Sequence, residues 1–286
     1  MRKYFKLLRV HHYMKNMLVI AALACSGQIF ESAKLFSCLI GLIAFCALSS
    51  AVYIFNDIRD IDKDRLHETK KDRPLASGAV DVKTAKIIGA ALVCAAFVLN
   101  ALVFKVLSTV WLVIYLVLNI LYSMGLKDIP LVDISILVAG FVIRVLYGAT
   151  IAEVSVSKWL YLTVVAFSFM LALGKRRNEI LRGGTETRSV LKHYSESFLD
   201  KSMYMCLGLT NTFYALWSMD SQTASHYHND FLVFTVPIIM LITLKYMMDI
   251  ESDSDGDPVE VLLHDKLLLV LCTTYLFAMF CILYLA

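Results

Sequence analysis

The chain has 286 residues, of which 59% are hydrophobic and 18% are charged, and its formal net charge is +3 at pH 7. Its mean hydropathy of +0.68 is far above that of water-soluble globular domains. These values exclude an ordinary soluble enzyme, and we expect membrane lipids, not a nucleic acid, around this protein. The composition therefore predicts an integral membrane protein.

Nine apolar stretches approach the length of about 20 residues that a helix needs to cross a bilayer core of about 30 Å. In chain order they cover residues 14–30, 35–55, 86–104, 107–124, 129–150, 159–173, 203–219, 231–248 and 267–285. They predict an all-α fold, a polytopic membrane helical bundle of about nine transmembrane helices. No linker-like segment interrupts the pattern, so we expect one domain over 1–286, with polar loops near 56–85, 174–202 and 249–266.

The distribution of Lys and Arg predicts the orientation of this bundle. If the N-terminus is cytoplasmic, all but four of the 27 Lys and Arg residues lie in cytoplasmic segments. The exceptions are Lys34, Lys105 and Lys158 on the opposite side and Arg144 within a span. Because cytoplasmic loops carry the excess of basic residues, we predict a multi-pass protein of the cell inner (plasma) membrane, with a cytoplasmic active site.

A dense run of charges, NDIRDIDKDRLHETKKDRPLASG, follows the second apolar stretch. If the helix continues into this run, Asn56, Asp57, Asp60 and Asp64 fall within an arc of about 100°, and His67 lies on the same side. Like charges at this spacing repel each other, so the cluster needs a cation or must take up protons. The alternative is a solvated acidic face with local Lys and Arg partners.

These four side chains offer hard oxygen ligands, which favour Mg²⁺, with Mn²⁺ as a substitute, over zinc. We therefore assign Asn56, Asp57, Asp60 and Asp64 as metal ligands, and the three aspartates also as catalytic residues. Magnesium commonly takes one or two protein carboxylates and completes its shell with water and substrate phosphates. The basic residues that follow, such as Arg73, are suited to bind a diphosphate.

The pattern Asn-Asp-x-x-Asp-x-x-x-Asp at 56–64 resembles the first aspartate-rich motif of the UbiA superfamily of intramembrane transferases. The wider run 56–78, with MKNML at 14–18 and YSMGLKDIPLVD at 122–133, is similar to one branch of that family. LALGKRRNEI at 171–180 and GDPVEVLLHDKLLL at 256–269 also resemble this branch. One difference is that Arg9 is retained before the Lys-Asn element, but His11, His12 and Tyr13 replace the basic and aromatic residues that are usual between them.

The resemblance implies the nine-helix UbiA fold and an Mg²⁺-dependent reaction. In this reaction a phosphoribosyl group passes from phosphoribosyl diphosphate to a polyprenyl (decaprenyl-type) phosphate, and diphosphate is released. The substrate-binding candidates are Lys15, Asn16, His67, Lys70, Arg73, Tyr122, Lys127, Asp133, Arg144, Lys175 and Arg176. A homo-oligomer is left open.

Two other functions stay open at this point. A UbiA-type prenyltransferase would move a prenyl group from prenyl diphosphate to an aromatic or other small acceptor. Such an enzyme is expected to have two carboxylates separated by three residues in its second motif, where this chain has Lys127 and the wider pair Asp128 and Asp133. A transporter would place its ionisable groups near the membrane midplane, whereas here they gather at one boundary.

Overall fold

The computed structural model describes residues 2–66, 70–103, 105–183, 188–221, 223, 227, 230–252 and 256–285. Within these ranges every regular element is a helix. Seven helical segments are long and apolar enough to cross a membrane. The predicted class, an all-α polytopic membrane protein, is confirmed.

The α-helices are α1 (Arg2–Leu8), α2 (Leu18–Ala24), α3 (Ser32–Arg59), α4 (Ile61–Arg65), α5 (Val82–Ala101), α6 (Val106–Met124), α7 (Val132–Ala152), α8 (Lys158–Leu181), α9 (Glu196–Met219), α10 (Val236–Glu251), α11 (Pro258–His264) and α12 (Lys266–Tyr284). Short 3₁₀ helices cover Val10–Met17, Lys70–Asp72, Leu126–Asp128, Ser189–His193 and Phe231–Thr235.

The count of nine spans is approximate. The seven candidate spans are α3, α5, α6, α7, α8, α12 and the segment Phe231–Glu251, which joins a 3₁₀ helix to α10. The first predicted stretch, 14–30, instead contains the end of the 3₁₀ helix Val10–Met17 and α2, whose 7 residues are too short to cross a bilayer. The stretch 203–219 lies in α9, which has 24 residues but is not among these candidates.

The chain forms two compact units. Unit 1 comprises Met1–Ile136 and Ile143–Ser155, and unit 2 comprises Leu137–Val142 and Val156–Ala286. Each unit is described by itself below, and the prediction of one domain over the whole chain stays a prediction.

In unit 1, α3 packs mainly against α5 and also contacts α2 and α6. The helices approach closely where side chains are small: a Cβ atom added to Gly148 would lie 1.8 Å from the Val19 carbonyl oxygen. An apolar core joins α1, the segment before α5, and α5 itself to the end of α3. Its buried members are Leu7, Ile54, Leu75, Val80 and Ala85.

In unit 2, α8 packs mainly against α9. Both helices begin at a serine whose hydroxyl accepts a hydrogen bond from a backbone N–H three residues later. Ser157 accepts from Leu160 and Ser195 accepts from Phe198, each at 3.2 Å. These caps satisfy N–H groups that a helix start leaves without an intrahelical partner, so they define where α8 and α9 begin.

The helix that bears the acidic run is interrupted at Asp60. Helix α3 ends at Arg59, Asp60 adopts φ −98° and ψ 7°, and α4 follows. The Asp60 N–H still donates to the Asn56 carbonyl at 3.0 Å, and the Asp64 N–H donates to the Asp60 carbonyl at 2.8 Å. Helical spacing is therefore kept across the break, while predicted site residue His67 lies outside the described residues.

Candidate active site

The centre of the acidic run in unit 1 is a pair of buried carboxylates that share one arginine. Asp57 and Asp64 are 3% and 4% exposed. Nη1 of Arg73 lies 2.6 Å from Oδ2 of Asp64 and 3.3 Å from Oδ1 of Asp57. Nη2 of Arg9 donates to the same Asp57 oxygen at 2.5 Å. Asp57 thus lies between two guanidinium groups.

The other two members of the run contact the end of α6 and the turn that follows. Nζ of Lys127 lies 2.7 and 3.0 Å from the two carboxylate oxygens of Asp60. The Ser123 hydroxyl donates to the side-chain oxygen of Asn56 at 3.1 Å. The structure therefore brings together six predicted residues: Asn56, Asp57, Asp60, Asp64, Arg73 and Lys127. We call this group, with Arg9 and Ser123, the carboxylate cluster.

Two features of the local fold place the arginines. Arg9 joins α1 to the 3₁₀ helix Val10–Met17 and has a left-handed backbone, φ 52° and ψ 47°. In a residue other than glycine, this conformation costs about 1 kcal/mol or more, and it persists where surrounding contacts stabilise it. The hydrogen bond from Arg9 to Asp57 is one such contact. Arg73 precedes Leu75 and Val80, whose burial in the core beside Ile54 holds its segment against α3.

The carboxylate cluster contains three acids and three basic residues, so its charges balance. Removing one partner of a buried ion pair is costly because it leaves a charge uncompensated. Among the described residues, no three His, Cys, Asp or Glu side chains are grouped so that they could hold a metal ion by themselves. The acids are paired with protein cations instead.

A second polar group in unit 1 surrounds predicted residues Asn16 and Arg144. Nε of Arg144 donates to the side-chain oxygen of Asn16 at 2.8 Å, and Nη2 donates to the Tyr115 hydroxyl at 3.2 Å. Its guanidinium also lies 5.0 Å from the ring centroid of Phe45. The Asn16 amide in turn donates to Ser49 at 3.1 Å. Arg144 is thus a buried cation held by neutral acceptors and aromatic rings.

Four further candidates have these positions in unit 1. Lys15 is half-buried in the 3₁₀ helix Val10–Met17, and Lys70 is half-buried at the start of a later 3₁₀ turn. Tyr122 is half-buried on α6, next to Ser123. Asp133 is completely buried in the first turn of α7. The roles predicted for these four residues stay predictions.

Predicted residues Lys175 and Arg176 lie at the end of α8 in unit 2. Nζ of Lys175 is 3.5 Å from Oδ2 of Asp257, which also caps α11 by accepting from the Val259 N–H at 3.0 Å. Gly256 precedes this aspartate with φ 76°. A Cβ atom there would lie 2.9 Å from the Lys175 Cα, so only glycine lets the chain approach α8 so closely.

Arg176 is 1% exposed and pairs with Glu179, whose Oε2 lies 2.8 Å from one of its nitrogens. The same Glu179 oxygen lies 3.5 Å from Arg188. The neighbouring Arg177 is also buried and bonds Asp200 at 2.6 Å. We call these five residues, with Lys175 and Asp257, the arginine cluster.

Sequence reasoning did not assign several of these partners. Arg9, Ser123, Glu179 and Asp257 are absent from the predicted site, although each bonds a member of it. Arg9 counted toward the charge asymmetry of the N-terminal segment and as a retained residue of the family's N-terminal element, without a role in the site. No spacing rule could have joined it to Asp57, because 48 residues separate the two along the chain.

The arrangement can be compared with known proteins. The model of the UbiA prenyltransferase family matches residues 17–255. This chain belongs to the UbiA prenyltransferase family. The family resemblance predicted from the aspartate motif is therefore confirmed.

Two curated UbiA relatives match most of the chain. The decaprenyl-phosphate phosphoribosyltransferase of Corynebacterium glutamicum is 33% identical over 279 residues, covering 95% of this chain and 84% of the relative. The protein of the same name from Mycolicibacterium smegmatis is 32% identical over 287 residues, covering 93% and 87%.

A solved structure agrees with the UbiA fold. A UbiA homolog from Archaeoglobus fulgidus, bound to GPP and Mg²⁺, superposes with a TM-score of 0.76. The match covers 98% of this chain and 99% of the homolog at 19% sequence identity. This likeness supports the fold alone.

Proposed function

We propose that this UbiA family member transfers a phosphoribosyl group from phosphoribosyl diphosphate to a polyprenyl (decaprenyl-type) phosphate. The observation that carries the proposal is its 32–33% identity, over more than nine-tenths of the chain, to two proteins named decaprenyl-phosphate phosphoribosyltransferase. The seven apolar helices support a multi-pass membrane enzyme whose acceptor is a lipid. We place the N-terminus and the active site on the cytoplasmic side, where the donor is soluble.

The basic residues of the carboxylate cluster are suited to bind the donor diphosphate. Arg73 and Arg9 offer planar guanidinium groups that match phosphate oxygens, and Lys127 offers a compact point charge. These cations contact Asp57, Asp60 and Asp64. If the donor binds together with a metal ion, the Arg and Lys side chains can bond the diphosphate while the metal ion compensates the aspartates.

The acids of the cluster fit a divalent metal by their chemistry. Mg²⁺ prefers oxygen ligands, and it commonly needs only one or two protein carboxylates. Asp57 and Asp64 bond the same Arg73 nitrogen, so they are close neighbours, and Asn56 adds an amide oxygen nearby in the chain. We assign these three residues and Asp60 to hold Mg²⁺, with Mn²⁺ as a substitute. The bound ion would supply charge neutralisation at the diphosphate.

The reaction breaks the bond between the ribose anomeric carbon and the diphosphate oxygen, and diphosphate leaves with the bonding electron pair. A phosphate oxygen of the lipid forms the new bond to that carbon. Because the attacking oxygen is already anionic, no strong general base is needed. The protein's task is then to bind, orient and stabilise charge that develops on the leaving group. We assign this task to Arg73 and Lys127, and we propose Lys15 and Lys70 as further hydrogen-bond donors to the phosphate groups.

The arginine cluster of unit 2 supplies further candidates for phosphate binding. Lys175 is about one-third exposed, and its Nζ lies 3.5 Å from Asp257. Arg176 is buried and pairs with Glu179. We propose that Lys175 and Arg176 bind substrate phosphate, while Tyr122, Asp133 and the Asn16–Arg144 pair shape or orient the substrate site.

The test is a transfer assay on purified protein with labelled phosphoribosyl diphosphate and a polyprenyl phosphate. We expect the wild type to form the lipid product and Asp60→Asn to lose nearly all turnover. Asp62→Asn is the matched control, because Asp62 lies on the same run with its side chain 96% exposed. Normal turnover by Asp60→Asn would refute the site, and transfer only from a prenyl diphosphate would favour the prenyltransferase alternative.

A further inference from the structure

Unit 1 also contains a groove that the proposed reaction does not use. It is bounded by α3, α5 and α6 and encloses a volume of about 260 Å³. Its walls are almost entirely apolar and include Ala51, Phe55, Gly89, Ala90 and Leu116; among the described residues that line it, Lys86 is the charged one. We call it the Lys86 groove.

The Lys86 groove lies on a different face of α3 from the carboxylate cluster. Ala51, Phe55 and Ile58 follow the i, i+4, i+7 spacing of one helix face. At about 100° per residue, Asp57 points more than about 120° away from the centre of that face. A molecule in the groove is therefore separated from the carboxylates by the body of α3, so neither the donor nor the reacting phosphate of the acceptor can be its occupant.

The groove lies beside a helix, α5, whose apolar surface is largely exposed. Helix α5 forms one wall, and only 11% of its apolar window is buried inside the protein. Small residues, Gly89 and Ala90, make the wall concave; a Cβ atom added to Gly89 would meet only Ile54, at 3.5 Å. A concave apolar surface on a membrane-spanning helix is suited to hold a hydrocarbon chain.

Lys86 lies at the end of the groove where α3 finishes and α5 begins. It precedes Gly89, Ala90 and Val93 by three, four and seven residues, so all four share one face of α5. The Lys86 side chain is exposed and makes no hydrogen bond or ion pair with the part of the chain that the structure describes. Its ammonium group is available to an external anion.

The charges around the start of α5 favour an anion there. Lys83 lies on the same helix turn, and Lys3 reaches this end, where its Nζ donates to the Ala79 carbonyl at 3.0 Å. Asp81 contributes a negative charge here. Hydrogen bonds from Thr84 hold the pKa of its carboxyl below the usual value, so this group stays ionised. Three cations and one anion leave this end positive, and the N-terminus of α5 adds a partial positive charge.

We propose that the Lys86 groove binds an anionic phospholipid, with an acyl chain against α3, α5 and α6 and the lipid phosphate against the Lys86 ammonium. The apolar walls and the unpaired cation at one end match the two parts of such a molecule. The site differs from a general attraction of basic loops for anionic membranes, because it requires one lysine and one cavity together. This lipid is a bound structural component and is not consumed in the transfer reaction.

The experiment measures lipid binding to delipidated protein in detergent by native mass spectrometry, with phosphatidylglycerol and phosphatidylcholine as probes at equal concentration. We expect the wild type to retain phosphatidylglycerol in preference. Lys86→Gln should weaken phosphatidylglycerol binding about fivefold, the effect of one lysine near an anionic lipid surface, and remove the preference. Lys158→Gln, the matched control, should keep both phosphatidylglycerol binding and the preference, because Lys158 is also an exposed lysine at the start of an apolar helix, α8, and does not line the groove.

A second variant tests the cavity itself. Ala90→Phe should fill the groove and lower the binding of both lipids, while gel filtration and circular dichroism check that the protein stays folded. Unchanged lipid binding by Ala90→Phe, or equal losses in Lys86→Gln and Lys158→Gln, would overturn the proposal. None of these readouts involves transfer activity, so the result is independent of the proposed function.

Discussion

The carboxylate cluster of unit 1 and the arginine cluster of unit 2 both contain Arg–carboxylate ion pairs, but the central pairs differ in which partner is buried. In the pairs around Asp57 the acid is the more buried partner: Asp57 is 3% exposed, while Arg9 and Arg73 keep some contact with solvent. In the pair of Arg176 and Glu179 the cation is the more buried partner: Arg176 is 1% exposed, while Glu179 is about one-quarter exposed.

The more exposed side chain of an ion pair can turn away to solvent or to a ligand, whereas the buried side chain stays in place and needs a new partner of opposite charge. Removing the exposed cations from unit 1 would leave a site that needs a cation, and removing the exposed acids from unit 2 would leave a site that needs an anion. The difference supports the proposal that Asp57 and Asp64 hold the metal and that Arg176 binds phosphate. Each prediction below tests this division.

The largest stability effect should come from the buried acid of unit 1. We expect Asp57→Asn to lower the free energy of unfolding by about 3 kcal/mol, because Arg9 loses the carboxylate that it bonds, while Arg73 keeps the carboxylate of Asp64. Chemical denaturation in detergent micelles measures this change. Asp62→Asn should leave stability unchanged, since its side chain is 96% exposed. If Asp57→Asn were as stable as the wild type, the ion pairs would not hold this site together.

The corresponding change in unit 2 removes the acid beside a buried cation. We expect Glu179→Gln to lower stability by about 2 kcal/mol, because Arg176 and Arg188 both contact its carboxylate. The double variant Arg176→Gln/Glu179→Gln should lose less than the sum of the single variants. Strict additivity would contradict the pairing, and Glu196→Gln, whose side chain is 52% exposed, is the control.

Metal and donor dependence should separate the two clusters in the transfer assay. Chelation should stop the reaction, and added Mg²⁺ should restore it. We expect Asp64→Asn to raise the Mg²⁺ concentration for half-maximal activity about tenfold, which corresponds to about 1.4 kcal/mol. Arg176→Gln should instead raise KM for the donor about tenfold and leave the Mg²⁺ dependence unchanged. A shift in Mg²⁺ dependence in both variants would break the division between the clusters.

A smaller effect should come from the pair of Lys175 and Asp257, whose closest atoms are 3.5 Å apart. Asp257→Asn removes the charge opposite Lys175 but keeps a side chain that can cap α11, because Asn and Asp cap helices about equally well. We expect a stability loss below about 1 kcal/mol, as for other partly exposed ion pairs. Thermal unfolding measures it. A loss as large as that of Glu179→Gln would place Lys175 among the buried cations.

Much of the molecule could be predicted from local sequence patterns. Apolar length predicted seven segments that the structure also identifies as candidate spans, and the aspartate motif predicted the family. Helical spacing placed Asn56, Asp57 and Asp60 near one another, and the backbone hydrogen bonds across Asp60 keep that spacing. These features depend on neighbours in the chain, and helix geometry converts a spacing along the chain directly into a spacing in space.

Only the tertiary structure decided which charges meet. Asn56 and Ser123 are 67 residues apart, and Asn16 and Arg144 are 128 residues apart, so their pairing depends on how whole helices pack. The first predicted span became a 3₁₀ helix and a short α-helix, and the left-handed turn at Arg9 aims that residue at Asp57. Hydropathy and motif spacing carry no information on such long-range contacts, because a helix can rotate or shift against its neighbours without any change in its own pattern.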